Sequence, residues 1–242
     1  MIVVLAGGVG AARFLQGLVQ VVPQERLTVI GNTGDDRDFY GLHVSPDLDI
    51  VMYTLAGVVD ETHGWGIRGD TYYTMQQLTG YGNEDWFMLG DRDLATHIHR
   101  TNLLRQGKTL SEVTEDLRRR FGLGMHILPM SDQPVQTHIR TPAGLLHFQE
   151  YMVKRRCADE VQDVVFVGAS EARPAPGVLD AIKNAEAILL ATEQVKTIKQ
   201  RWPAVCDEAK LSKVDRNFLW RRQFLNPFAF LGAPEAVTKL ID

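Results

Sequence analysis

The 242-residue chain is predicted to be an α/β protein with a Rossmann-like parallel sheet and helices on both faces. Two observations predict this class. Ile2–Gly7 ("IVVLAG") and Arg26–Ile30 ("RLTVI") are short apolar runs typical of buried parallel strands. Between them a glycine turn passes into a helix, which makes the first thirty residues a βαβ unit.

The first helix is indicated by apolar residues that recur at helical spacing, namely Ala11, Phe14, Leu15, Leu18 and Val22. Further helices are predicted at Asp49–Val59 and in "GDTYYTMQQLTGY", "LATHIHRTNLLRQG" and "TLSEVTEDLRRRFG", the last with a capping box at Thr109 or Ser111.

The second half of the chain is predicted to add antiparallel strands and a last parallel strand. "MHILPM" and "VQTHIRT" are predicted strands, and "TPAG" is a hairpin turn before "LLHFQEYMV". "VQDVVFVGA" is predicted to be a buried strand, and "APGVLDAIKNAEAILLA" a helix followed by a parallel strand at Ala187–Ala191. Residues 192–242 carry nine basic and six acidic residues and are predicted to be a separate helical segment after a Rossmann-like domain at 1–191.

Composition excludes several classes of protein. The net charge of −4 argues against a nucleic-acid partner, which calls for a basic face. No apolar run is long enough to span a bilayer, and the N-terminus lacks a secretory pattern, so we expect a cytoplasmic protein without a membrane partner. Cys157 and Cys206 form no thiolate zinc motif. A homodimer is left open, with a globular interface because no strict heptad repeat is present.

The glycine turn and the acidic stretch after it indicate an anion and metal site. Gly7, Gly8 and Gly10 let the backbone approach a phosphate at the start of the first helix, where Arg13 could add a contact. A turn without a ligand is the alternative.

Four aspartates then fall in two pairs at the end of the second predicted strand: Asp35 with Asp36, and Asp47 with Asp49. Carboxylates held together need a cation or proton, which predicts Mg²⁺ bound with a substrate phosphate. A solvated acidic turn without a metal is the alternative. Asn32 and Thr33 could bind a polar ligand.

Two further patterns are less specific. "LGDRDLATHIHR" contains Arg92 and pairs Asp93 with His97 at i,i+4 spacing, which also suits an ordinary capped helix. An NAD-binding fold, with Asp35 on the ribose hydroxyls, is a competing hypothesis; the missing third glycine and the second acid pair count against it.

Eight segments in one order then resemble the 2-phospho-L-lactate transferase family over residues 1–191. They are "GGVGAARFLQGL", "NTGDD", "GLHVSPDLDIVMYTLAG", "GWGIRGDT", "LGDRDLATHIHR", "ILPMSDQPVQT", "HFQEY" and "GASEARPAPGVLDAI". The resemblance implies an Mg²⁺-dependent enzyme of coenzyme F-420 biosynthesis. Such enzymes move a phospholactyl or phosphoenolpyruvyl group from a guanosine diphosphate-linked donor to Fo, a deazaflavin, and release GMP.

The resemblance also implies residue roles. Asp35 and Asp49 would hold Mg²⁺, and Gly7–Gly10 would face the donor phosphates. Fo would lie near Asp49, Arg92 and His97, and Asp36 or Asp47 would accept the proton of its ribityl hydroxyl. Three alternatives stay open: another guanylyl- or uridylyl-linked transferase, a non-catalytic nucleotide- or sugar-nucleotide-binding regulator similar to gluconeogenesis factor, and a shortened relative without activity.

Overall fold

The computed structural model describes residues 1–185, 203–207 and 212. The chain divides into two compact units, of which Ile2–Lys183 contains every element named below. The predicted strand Ala187–Ala191 and nearly all of the predicted helical segment 192–242 lie outside the described residues. Among the helices in the described ranges, none has the length and apolar character needed to cross a bilayer.

A three-stranded parallel sheet confirms the predicted α/β class. Its strands are β1 (Ile2–Ala6), β2 (Leu27–Gly31) and β5 (His126–Pro129), with β2 in the centre. The register pairs Val4 with Val29, and Val29 with Ile127. The predicted βαβ unit is completed by α1 (Gly8–Leu18), which connects β1 to β2.

Helices cover both faces of this sheet because apolar side chains alternate along the strands. Val4, Val29 and Ile127 join a core formed with α1, α2 (Pro46–Leu55) and α5 (Leu110–Arg120). Their neighbours along the strands face the other way and pack with α6 (Val178–Lys183); these neighbours are Val3, Ile30 and Leu128. The predicted capping box of α5 is confirmed at Thr109, whose hydroxyl accepts from the Glu112 amide while the Glu112 carboxylate accepts from the Thr109 amide.

The close approach of α2 to β2 requires a glycine. A Cβ at Gly31 would overlap the side chain of Leu48, so a larger residue would require the Leu48 side chain or α2 to shift. This contact matters for the site because Gly31 ends β2 and Leu48 lies between Asp47 and Asp49. The two acid pairs are therefore brought to the same edge of the sheet.

The remaining elements surround this edge. A short hairpin contains β3 (Arg37–Phe39) and β4 (Leu42–Val44), and two helices follow, α3 (Tyr73–Gly80) and α4 (Asp91–Arg105). A separate antiparallel sheet has the order β7–β6–β8, with β6 at Gln136–Thr141, β7 at Gly144–His147 and β8 at Asp163–Val167. The hairpin of β6 and β7 was predicted, whereas the chain after β7 forms a π-helical turn at Glu150–Lys154.

The predicted burial of the strand in "VQDVVFVGA" is wrong. The "DVVFV" strand β8 is largely exposed and pairs antiparallel with β6, because it forms the edge of the smaller sheet. An apolar run alone does not distinguish a central strand from an edge strand. Of the five apolar residues that indicated the first helix, four pack in the core beside the sheet, and Phe14 is 57% exposed.

Candidate active site

Three of the four predicted aspartates form one carboxylate cluster, which we define as Asp35, Asp36 and Asp47. Asp35 and Asp36 follow β2, and Asp47 lies in the first turn of α2. Burial, then the charges of Asp47 and Asp36, raises the pKa of Asp35 to about 7. Burial likewise raises the pKa values of Asp36 and Asp47. The cluster therefore favours a bound proton or cation, as the sequence predicts.

Two amide side chains hold this cluster in place. The Asn32 amide donates to Asp47 Oδ2 at 2.7 Å, and its Oδ1 accepts from the Gly34 amide at 3.0 Å. The Gln149 amide donates to Asp35 Oδ2 at 3.2 Å. Gln149 follows β7, so the antiparallel sheet contributes a contact to the edge of the parallel sheet. Gln149 stands in the segment "HFQEY" and was not among the predicted site residues.

Asp36 has its own partners. Its Oδ2 accepts from the Ser45 hydroxyl at 2.8 Å and lies 3.1 Å from Nε2 of His43. The other ring nitrogen of His43 is 3.4 Å from the exposed carboxylate of Asp38. Nε2 of His147 is 3.2 Å from the Asp36 carbonyl oxygen, and burial lowers the pKa of His147 to about 4, so this imidazole is neutral near pH 7.

The glycine turn faces the carboxylate cluster. Gly8 has a φ of +68°, which suits a residue without a side chain, and its amide donates to the Asp47 carboxylate. The start of α1 has no other side-chain cap. The glycine turn that was predicted to bind an anion therefore lies next to the Asp47 carboxylate. Arg13, which was predicted to add a contact, is exposed farther along α1.

Asp49 is separated from the cluster by its partners. The Arg100 guanidinium donates to Asp49 Oδ1 and, at 3.0 Å, to Nδ1 of His97. His97 lies 3.2 Å from Asp93, which accepts from the Tyr53 hydroxyl at 2.7 Å. Arg100 and His97 are each 1% exposed. The predicted pair of Asp93 and His97 is confirmed, but it belongs to a buried charge network.

An apolar cavity of about 320 Å³ borders this network. Trp65, Trp86 and Phe87 provide aromatic walls, while Asp49 and Gln149 provide polar groups. Both the size and the mixture of many apolar groups with few polar ones are typical of small-molecule sites. Oδ2 of Asp49 has no hydrogen-bond partner within the described part of the chain.

Arg92 lies outside this arrangement. Its backbone amide donates to Asp70, and its exposed guanidinium donates to the Arg68 carbonyl at 3.2 Å. It lines neither this cavity nor the second one described below. The cation that pairs with Asp49 is Arg100, which was not among the predicted site residues. Its spacing from Asp93 and His97 places all three on one face of a helix, and this is the signal that could have identified it.

The carboxylate cluster suits a metal that needs few protein ligands. Residues 1–185, 203–207 and 212 contain no group of three or more acidic, histidine or cysteine side chains able to hold an ion by themselves. Mg²⁺ commonly takes one or two carboxylates and keeps its other positions for water and phosphate. Asp35 and Asp47, whose pKa values are both raised by burial, fit that requirement better than Asp49, whose charge is balanced by Arg100.

Comparison with known proteins agrees with the resemblance noted in the sequence. Residues 2–194 match the family model described as 2-phospho-L-lactate transferase CofD. A phosphoenolpyruvate transferase of Streptomyces griseus is 53% identical over 193 residues, which cover 78% of this chain and 61% of the relative. A 2-phospho-L-lactate transferase of Methanosarcina mazei is 42% identical over 188 residues, covering 78% of this chain and 62% of the relative. The chain thus spans about three-fifths of the length of these curated relatives.

The fold also has a counterpart of known structure. A crystal structure of a member of the upf0052 family from Bacillus halodurans superposes with a TM-score of 0.50 and covers 76% of this chain and 56% of that chain. The sequences are 15% identical, so this likeness concerns the fold alone.

Proposed function

Because the chain belongs to the 2-phospho-L-lactate transferase CofD family, we propose that it transfers a phospholactyl or phosphoenolpyruvyl group to Fo (7,8-didemethyl-8-hydroxy-5-deazariboflavin). The donor is a guanosine diphosphate-linked compound, GMP is released, and the product belongs to coenzyme F-420 biosynthesis. Mg²⁺ dependence and a cytoplasmic location are parts of the same proposal.

The junction between the aromatic cavity and the carboxylate cluster carries the proposal. Trp86 and Phe87 offer flat surfaces for a tricyclic deazaflavin ring. Gln149 lines the same cavity and donates to Asp35, so the cavity wall is continuous with the cluster. A ring bound there would direct its ribityl arm toward the carboxylates, as the reaction requires.

Asp35 and Asp47 would hold Mg²⁺, whereas the family resemblance implies Asp35 and Asp49. Asp49 is engaged by Arg100 and faces the aromatic cavity, which suits an acceptor of a hydrogen bond from Fo. When bound, Mg²⁺ would neutralise charge on the diphosphate and on the departing GMP. The amides at Gly7, Gly8 and Gly10 would then approach the diphosphate beside the metal.

In the transfer, the terminal ribityl oxygen forms a bond with the phosphorus that carries the lactyl or enolpyruvyl group. The bond from that phosphorus to the bridging oxygen breaks, and GMP leaves with both bonding electrons. A carboxylate accepts the ribityl proton, and Asp36 or Asp47 fills that role. Arg92 receives no part in this mechanism, because its guanidinium is bound to the Arg68 carbonyl.

The test is GMP release from each guanosine diphosphate-linked donor in the presence of Fo and Mg²⁺. We expect Asp36→Asn to lower kcat by about 10²- to 10⁴-fold if Asp36 is the base. Asp35→Asn and Asp47→Asn should raise the Mg²⁺ concentration needed for half-maximal rate. Asp163→Asn, on the exposed β8, is the matched control and should behave like wild type.

Two results would contradict the proposal. Wild-type protein that releases no GMP with either donor is not a transferase on its own, and ligand binding without turnover would favour a regulatory role. Full Mg²⁺-dependent rates in both Asp35→Asn and Asp47→Asn would remove the metal assignment while leaving the transferase intact.

A further inference from the structure

A second cavity, which the proposed mechanism does not use, is lined by Asp36. It measures about 520 Å³ and is bounded by the β3–β4 hairpin, the start of α5 and the segment before β6. Thr33, Asp36 and Arg37 line it on the side of the carboxylate cluster. Its volume exceeds that of the aromatic cavity and lies within the range of nucleoside-sized ligand sites.

Three polar groups in this cavity lack the partners that buried groups normally have. Oγ1 of Thr33, Oδ1 of Asp36 and Nη1 of Arg37 are buried without a hydrogen bond to any described residue. Nη1 of Arg37 forms an ion pair with Glu150, whose carboxylate is 3.6 Å away and therefore beyond hydrogen-bond distance. Thr33 is 2% exposed and Asp36 is 7% exposed. Most buried polar atoms in folded proteins are paired, because leaving one unpaired is costly. Three such atoms around one cavity indicate a ligand that pairs with all of them.

The orientation of the Asp36 carboxylate is set by the protein. Its Oδ2 accepts from the Ser45 hydroxyl at 2.8 Å and lies 3.1 Å from the His43 ring, which leaves Oδ1 for another donor. The guanidinium carbon of Arg37 lies 5.4 Å from the ring centroids of both Phe39 and Trp86, and these two rings contact each other edge to face. Both groups are thus fixed before a ligand arrives.

The three groups define the chemistry of the ligand. Asp36 needs a donor, Arg37 needs an acceptor, and the Thr33 hydroxyl can pair with either. The cavity is lined by one guanidinium and by three carboxylates, those of Asp36, Asp38 and Asp132. This excess of negative charge disfavours binding of a phosphate. The described residues hold no cluster suited to a metal. Neighbouring sugar hydroxyls donate and accept at adjacent positions, and their C–H faces suit Leu104 and Val135 on the apolar side.

We propose that this cavity is a subsite for adjacent sugar hydroxyls, recognised by Thr33, Asp36 and Arg37. This proposal rests on the proposed function, in which two groups carry such hydroxyls: the ribose of the guanosine donor and the ribityl chain of Fo. The inference goes beyond that function because it gives Arg37 a specificity role and narrows the polar ligand expected at Thr33 to adjacent sugar hydroxyls.

The experiment combines an isosteric variant with hydroxyl-free ligands. Thr33→Val removes only the hydroxyl, and Thr114→Val is the matched control, since Thr114 is also 2% exposed but lines neither cavity. Calorimetric titration compares GDP with 2′,3′-dideoxy-GDP, and Fo with an analogue carrying an unsubstituted alkyl chain. We expect Thr33→Val to weaken binding of one hydroxylated ligand about three- to tenfold and to leave its hydroxyl-free analogue unchanged.

The outcomes separate the sources from each other and from the proposed function. A selective loss for GDP identifies the ribose, and a selective loss for Fo identifies the ribityl chain. Equal affinities of wild type and Thr33→Val for every ligand overturn the subsite. If wild type binds neither GDP nor Fo, the proposed function fails, and the subsite is then tested by titration with ribitol. Weaker ribitol binding by Thr33→Val than by wild type supports the subsite. No ribitol binding by wild type overturns it.

A second variant covers the case in which Thr33→Val does not fold. Arg37→Lys keeps the charge but removes the guanidinium nitrogens, and we expect the same ligand-selective loss. Unchanged affinities in Arg37→Lys would then overturn the proposal.

Discussion

Replacing Arg100 by methionine would leave the Asp49 carboxylate buried without its counter-ion. Arg100 is 1% exposed, and the Asp49 side chain is 6% exposed, so water cannot take the place of the guanidinium. The same change removes the donor to His97 Nδ1. Breaking a buried pair by removing one partner costs about 3–5 kcal/mol, because the remaining charge is uncompensated.

The magnitude can be measured by equilibrium unfolding in urea followed by circular dichroism. A loss of about 3–5 kcal/mol is a large part of the roughly 5–15 kcal/mol that stabilises a typical domain. With a urea dependence of about 2–3 kcal/mol/M, the midpoint should fall by about 1–2.5 M. Arg100→Met combined with Asp49→Asn removes both charges and should recover part of that loss.

The control is Arg119→Met, which breaks an exposed pair with Glu115. The Arg119 side chain is 72% exposed, and an exposed pair contributes no more than about 1 kcal/mol. A midpoint for Arg100→Met as close to wild type as that of the control would refute the reasoning. Strict additivity in the double variant would show that Asp49 and Arg100 do not depend on each other.

Two further predictions concern the edge of the sheet. The pKa of Asp35 is raised from 3.8 to about 7, so the folded protein holds a proton that the unfolded chain loses, and the free energy of unfolding should fall as pH rises from about 4 to about 7. Urea unfolding without Mg²⁺ should show a flatter pH dependence for Asp35→Asn, and equal slopes would contradict this. Gly31→Ala should cost about 1–3 kcal/mol by overlap with Leu48. Gly17→Ala, where a Cβ meets nothing within 4 Å, should instead stabilise by up to about 1 kcal/mol, and a similar effect at both glycines would exclude the packing argument.

Local patterns were sufficient for the βαβ unit and the capping box. Apolar runs of strand length around an amphipathic helix leave few other arrangements, and the box at Thr109 depends only on residues within one turn. The same reasoning failed for β8, because edge and central strands share a composition and differ only in what pairs with them.

The chain by itself determined which residue types meet at the edge of the sheet: glycines after β1, aspartates after β2 and a second acid pair at the start of α2. Only the tertiary structure decided their partners. In the folded protein Asn32 donates a hydrogen bond to Asp47 in the cluster, whereas Asp49 pairs with Arg100, 51 positions away. A buried carboxylate needs a counter-charge, and the packing of the helices determines which cation lies beside it. Such long-range choices depend on how α2 and α4 pack, which no local spacing encodes.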